Sequence, residues 1–108
     1  METLTNLTQL YLGKNKITKI ENLDALVNLE CLSLQSNRIV KIENLDKLVN
    51  LNELYLSENG IEKIENLDHN KQLDTLDLAK NRIKTIENVE HLECLEEFWV
   101  SVNLNKFL

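Results

Sequence analysis

An asparagine that returns every 22 residues, as Asn15, Asn37, Asn59, Asn81 and Asn103, constrains this chain more than any other feature. It carries its neighbours with it. Leu10/Leu12, Leu32/Leu34, Leu54/Leu56, Leu76/Leu78 and Phe98/Val100 precede it, and Ile17/Ile20, Ile39/Ile42, Ile61/Ile64 and Ile83/Ile86 follow. The paired apolar residues alternate with their neighbours, the period-two pattern of a half-buried strand. Strands this short do not stand alone, so the copies are expected to stack in parallel, each roughly 4.8 Å from the next. The asparagine falls where the chain turns away from the strand. Its amide offers donors and an acceptor to backbone groups that a bend would leave orphaned. The column is therefore expected to form an asparagine ladder, which is architecture rather than chemistry.

The period and the spacing L-x-x-L-x-L-x-x-N followed by an apolar residue are the signature of a leucine-rich repeat. The expected fold class is an α/β solenoid: a leucine-rich repeat arc with a parallel inner β-sheet and outer 3₁₀ or short helical turns. The outer side is read from Ile42, Leu45, Leu48 and Leu51, and from Ile20, Leu23, Leu26 and Leu29, which fall every three residues. That interval suits a 3₁₀-like segment, in which i and i+3 eclipse, better than an α-helix. A tight strand side and a bulkier outer side should curve the stack with the strands inside.

Residues 1–108 are read as one domain of about five units. Leu4 and Leu7 match Leu26 and Leu29, and Leu108 falls in the column of Ile20, so the sequence starts and stops within repeats. Neither end has the polar-faced cap that solenoids use. An excerpt of a longer array is expected, a natural short protein being the alternative, and self-association through bare strand edges is a risk. Two positions depart from the pattern. Asn105 stands in the Ile17 column, and Asn70 replaces the leucine of Leu26, Leu48 and Leu92. Asn70 marks either a looser outer turn or an amide bonded to backbone.

Several function classes are disfavoured. The net charge is −6, with 28% charged residues, and there is no run of 18 apolar residues of the kind a spanning helix needs. The segment 1–5 lacks the basic and apolar regions of a signal peptide, so an intracellular location is expected. Cys31 and Cys94 are almost three repeats apart, roughly 14 Å at strand spacing and beyond disulfide reach, which fits a reducing compartment. His69, His91 and Cys94 resemble a metal set, but no fourth ligand is evident. They are read as incidental surface residues, with no metal and no cofactor. No phosphate-binding glycine loop, G-x-S-x-G or H-E-x-x-H occurs, and a shallow arc offers no water-excluding pocket, so catalysis is not expected. Lys19/Lys41/Lys63 and Lys16/Arg38/Arg82 stand near the column Glu21/Glu43/Glu65/Glu87, and are expected to screen it as weak surface ion pairs.

What varies between units is the strand positions that alternate with the leucines. They form a grid: Gln9, Cys31, Glu53, Thr75, Glu97; then Tyr11, Ser33, Tyr55, Asp77, Trp99; then Gly13, Gln35, Ser57, Ala79, Ser101. All are expected to point outward, so the fold does not dictate their identities. The grid holds Glu53, Asp77 and Glu97, the aromatics Tyr11, Tyr55 and Trp99, and no lysine or arginine. Exposed aromatics are what interface anchors look like, while the lack of cations argues against nucleic acid. For Trp99, the alternative is packing against a further repeat or a cap.

Certain phrases carry a closer likeness. Lys-Ile-Glu-Asn-Leu at 19–23, 41–45 and 63–67, with Thr-Ile-Glu-Asn-Val at 85–89, resembles the 22-residue subclass of leucine-rich repeats. Leu95-Glu96-Glu97-Phe98-Trp99, the segment 81–88, Glu53–Ser57 and Leu10–Lys19 resemble the leucine-rich regulatory subunits of protein phosphatase 1, in order and without gaps. The resemblance implies a nuclear and cytoplasmic protein whose inner face grips the phosphatase catalytic subunit. It implies roles in that contact for Glu97 and Trp99, and inner-face positions for Tyr11, Tyr55 and Asp77. Glu53 joins them from the grid. The alternative is a scaffold repeat protein of cilia, the cytoskeleton or the spliceosome.

Overall fold

The alternating stretches become five short strands: β1 (Gln9–Tyr11), β2 (Cys31–Ser33), β3 (Glu53–Tyr55), β4 (Thr75–Leu78) and β5 (Glu97–Val100). The computed structural model describes residues 5–102; Asn103, Asn105 and Leu108 lie outside the described residues, as does Leu4. The strands pair in parallel in the order β1-β2-β3-β4-β5, with Leu10, Leu32, Leu54, Leu76 and Phe98 in one register line. Each strand is thus aligned with its 22-residue repetition, and the result is a β-solenoid of the leucine-rich repeat type.

A parallel pair needs a crossover to return the chain to the same end of the sheet. Here the return is built from bends. Lys14, Ser36, Glu58 and Lys80 follow the strands at φ of 56–58°. Farther on, Asn22, Asn44, Asn66 and Asn88 adopt φ of 60–64°, a left-handed conformation that asparagine tolerates better than most residues. Two i→i+3 turns then close in succession, such as Leu48 N to Leu45 O at 3.0 Å and Leu51 N to Leu48 O at 3.3 Å. The three-residue interval therefore takes the expected 3₁₀-like form. Only every third amide closes a turn, so the segments are single turns joined by extended chain. Among the described residues the outer side of the units carries 3₁₀-like turns and no α-helix.

The core runs along the stack as columns. In the second unit Leu32, Leu34, Ile39, Ile42, Leu45, Leu48 and Leu51 are at most 2% exposed. Burying each such side chain contributes about 1.5–3 kcal/mol, and the neighbouring units supply the cover.

Backbone groups left over by the bends are bonded by asparagines. Asn37 Nδ2 donates to Leu12 O and Leu34 O, both at 3.0 Å, while its Oδ1 accepts from Ile17 N at 3.0 Å. Asn59 and Asn81 repeat this set one and two units later. Among the described residues Asn15 reaches only Leu12 O and Gly13 O, within its own unit. A second column was not read from the sequence: Asn44, Asn66 and Asn88 each donate to the carbonyl 24 residues back, at 2.7 Å. Asn28 and Asn50 reach back 23 residues, to Thr5 O at 2.9 Å and Val27 O at 3.0 Å.

Asn70 is wholly buried, and of the two readings it follows the backbone-bonded one. Its Nδ2 donates to Leu45 O at 3.0 Å and Leu48 O at 3.1 Å, while its Oδ1 has no partner. His91 Nε2 lies 2.8 Å from Leu67 O, so the ring serves backbone. Among the described residues no group of three histidine, cysteine or acidic side chains is placed to hold a metal, and no helix is long and apolar enough to cross a membrane. The ion pairs expected along the glutamate column do not form: no lysine or arginine of the described residues engages a carboxylate.

Candidate protein-binding face

Alternation along each strand sends one set of side chains into the core and the other to the open face of the sheet. The register then decides which of the nominated residues meet. Tyr55 pairs with Asp77 and Asp77 with Trp99, so these three form a row across β3, β4 and β5. Glu53 and Glu97 lie in the neighbouring row, separated by Thr75. Tyr11 stands at the far end, with Ser33 between it and Tyr55. Trp99 is 59% exposed and Tyr11 64%, while Glu53, Tyr55 and Asp77 are half-buried and Glu97 is exposed.

The expectation that the whole grid points outward needs correction. Cys31, Ser33 and Thr75 are buried, although they lie on the open side of the strands. Strands only about 4.8 Å apart let a large side chain lean over a small neighbour, and these three are small residues between long ones. Cys31 lies against the Tyr11 hydroxyl, and burial pushes its thiol pKa up.

Tyr11 and Tyr55 flank an open hollow of about 420 Å³, to which Ser33, Gln35, Glu53 and Asp77 also contribute. Trp99 is not part of it. Inside the hollow, Ser33 Oγ donates to Gln35 Oε1, and Tyr55 donates its hydroxyl to Glu53 Oε1 at 2.5 Å. That bond to a carboxylate, followed by partial burial and the nearby charge of Glu53, holds the Tyr55 hydroxyl protonated well above the usual phenol range. Tyr11 donates to Gln9 Oε1 at 3.0 Å. Its pKa is raised as well, first through the Cys31 contact. Asp77 Oδ1 accepts from Ala79 N at 3.1 Å, which fixes its carboxylate at the strand end.

A second hollow, of about 260 Å³, adds two acids that sequence reasoning passed over. Asp74 and Glu96 line it with Glu53 and Glu97. Both sit one residue before the strand, in the column Glu30, Asn52, Asp74, Glu96, so the signal was the grid extended by one position. Together these side chains make a sheet face that is acidic, carries three aromatics and contains no cation. It is suited to accept basic and apolar groups from a macromolecule.

A family model for two copies of leucine-rich repeats matches residues 27–69. Among solved structures, internalin C2 from Listeria monocytogenes is 32% identical with a TM-score of 0.85, over 91% of this chain and 43% of its own. The functional domain of InlJ from the same species, which includes a cysteine ladder, is 34% identical with a TM-score of 0.78, over 92% of this chain and 21% of its own. A leucine-rich repeat protein of Leptospira interrogans is 27% identical with a TM-score of 0.85, over 91% of this chain and 26% of its own. The chain thus spans less than half the length of each of these proteins. No curated protein matches it significantly.

Proposed function

Taking the chain as the leucine-rich repeat protein that its fold and matched repeats make it, we propose that it is a non-catalytic binding module whose sheet face holds the catalytic subunit of protein phosphatase 1. Leucine-rich repeat arrays generally serve protein–protein contact, and the coarser part of the reading rests on that. The observation that carries it is the row Tyr55, Asp77, Trp99 with Glu97 alongside. A large exposed indole and acidic side chains stand in register on a rigid sheet. Tryptophan and tyrosine in such settings dominate binding energy, while the carboxylates favour a basic partner surface and its rate of encounter.

The choice of partner rests on the Leu95–Trp99 segment and its companion phrases, which resemble the phosphatase regulatory subunits. That partner implies an intracellular protein of nucleus and cytoplasm. The solved relatives are bacterial and share the same repeat frame at 27–34% identity, which favours a second reading, a scaffold with a different partner on the same face.

Binding to purified phosphatase catalytic subunit tests the proposal. Trp99→Ala should cost about 2 kcal/mol, a hot-spot loss that corresponds to roughly thirtyfold in Kd, with an unchanged far-UV circular dichroism spectrum. Loss of fold together with binding would instead assign Trp99 to packing. A folded wild-type chain that ignores the phosphatase would sink the partner assignment, and a pull-down recovering cytoskeletal or splicing proteins would favour the scaffold.

A further inference from the structure

The chain is acidic overall, yet half of its cations fall in one set of windows. In the windows just after the strands, residues 13–18, 35–40, 57–62 and 79–84, stand Lys14, Lys16, Arg38, Lys80, Arg82 and Lys84. These are six of the twelve lysines and arginines of the whole sequence, against two of its eighteen acids, Glu58 and Glu62. Glu58 is bonded by Ser36 Oγ at 2.8 Å. The stack therefore carries an acidic sheet face and, beside it, a basic edge.

At the middle of that edge is a notch of about 310 Å³ between Arg38 and Arg82, with Val40 and Gly60 in its lining. Arg38, Gly60 and Arg82 occupy the same position in three successive units. The flanking arginines thus start roughly 10 Å apart at strand spacing, and the unit between them contributes no side chain at that position. The fold does not require that glycine. Gly60 has no positive φ, and a Cβ there would meet only ordinary contacts, Val40 Cγ1 at 3.5 Å and Ile39 O at 3.7 Å. What its bare backbone does is leave the space open.

Other polar groups of the notch are already committed. Asn37 and Asn59 serve the ladder, Gly60 N donates to Ile39 O, and Arg82 N donates to Ile61 O. The two guanidiniums engage no other side chain among the described residues. Two planar, permanently charged forks on residues that line one space match a doubly charged oxyanion that can accept paired N–H bonds. A single carboxylate would balance only one of them.

We infer that the Gly60 notch is a binding site for a phosphoryl group, held between the guanidiniums of Arg38 and Arg82. It is separate from the sheet face and does not depend on which protein that face holds.

Inorganic phosphate and a phosphoserine peptide, each at constant ionic strength against chloride, are the probes. The readout is the side-chain ¹⁵Nε–Hε resonances of Arg38 and Arg82. Saturable shifts of both are expected with phosphate and not with chloride. With the phosphopeptide they should weaken as pH falls below about 6, where a phosphoserine loses its second charge. Gly60→Glu, which sets a carboxylate between the arginines, should weaken binding at least tenfold without changing the melting temperature. Arg38→Gln with Arg82→Gln should abolish it, and that pair decides the matter if Gly60→Glu fails to fold. Tighter binding of the phosphopeptide than of phosphate would identify a modified partner chain as the source, and the reverse a free phosphorylated ligand. Shifts that do not saturate, that chloride reproduces, or that persist in the arginine double variant would overturn the site.

Discussion

Asn70→Leu is expected to stabilise the protein, although it removes two hydrogen bonds. The two carbonyls that Asn70 Nδ2 approaches, Leu45 O and Leu48 O, already accept from Leu48 N and Leu51 N in the outer turns. Losing the asparagine therefore leaves no orphan, and the two bonds forfeit only their net worth, about 1 kcal/mol each. On the other side, the substitution removes a buried acceptor without a partner, which costs about 1–3 kcal/mol while present. It also adds a buried leucine, worth about 1.5–3 kcal/mol. The turn that carries position 70 closes with the same bonds as those at Leu26, Leu48 and Leu92, Asn70 N to Leu67 O and Leu73 N to Asn70 O at 3.2 Å, so a leucine meets a familiar frame. The balance favours the variant by about 2 kcal/mol, which for a domain of this size is roughly 10 °C in Tm. Urea and thermal unfolding followed by circular dichroism measure it. Asn70→Ala, which loses the bonds and leaves a gap, should fall below wild type. If Asn70→Leu also falls below wild type, the reasoning fails: Oδ1 then has an ordered water for a partner, or the core has closed around the smaller side chain.

Asn59→Ala should cost about 2–4 kcal/mol, since it orphans Ile39 N in the core and forfeits the bonds to Leu34 O and Leu56 O, which keep Asn37 and Asn81 as donors. Asn15→Ala, whose amide stays within its own unit, should cost under about 1 kcal/mol; equal losses would refute the inter-unit role. Tyr55 should ionise at higher pH than free tyrosine in an ultraviolet titration, and Glu53→Gln should bring it back down, because its bond to Glu53 is the main cause. Folding raises this pKa, so the associated stability is complete below pH 10.0, the ordinary value, and is lost as pH climbs through the folded one. A thiol reagent at pH 8 should label the exposed Cys94 well before the buried Cys31, whose pKa is also raised; equal rates would contradict the cover over Cys31.

The strands and the core were readable because the leucine columns are nearly invariant within the chain, so one unit interprets the next. Asn44, Asn66 and Asn88 were equally visible, inside the Ile-Glu-Asn phrases. Their left-handed backbone and bond to the preceding unit went unread because that needs the three-dimensional return path, not the period. The bends at Lys14, Ser36, Glu58 and Lys80 were beyond sequence reasoning for a different reason. Lysine, serine and glutamate have no preference for positive φ, so the stack imposes what the residue does not favour. On the sheet face, composition revealed the acids and aromatics. It could not reveal that Cys31, Ser33 and Thr75 are covered, since that depends on how far neighbouring side chains lean across a register.

The asparagine bonds of the ladder columns that cross between units reach in one direction, whereas Asn52, outside those columns, donates forward to Gln72 O. Asn37 serves Leu12 and Ile17, Asn44 serves Ile20, and Asn50 serves Val27, so at these columns a later unit completes the backbone of an earlier one. A chain leaving the ribosome is made in that same order, and domains begin to fold during synthesis. Each turn of the stack would then wait, half finished, until the next 22 residues emerge. The ladder acts as a ratchet whose pawl is always one repeat ahead.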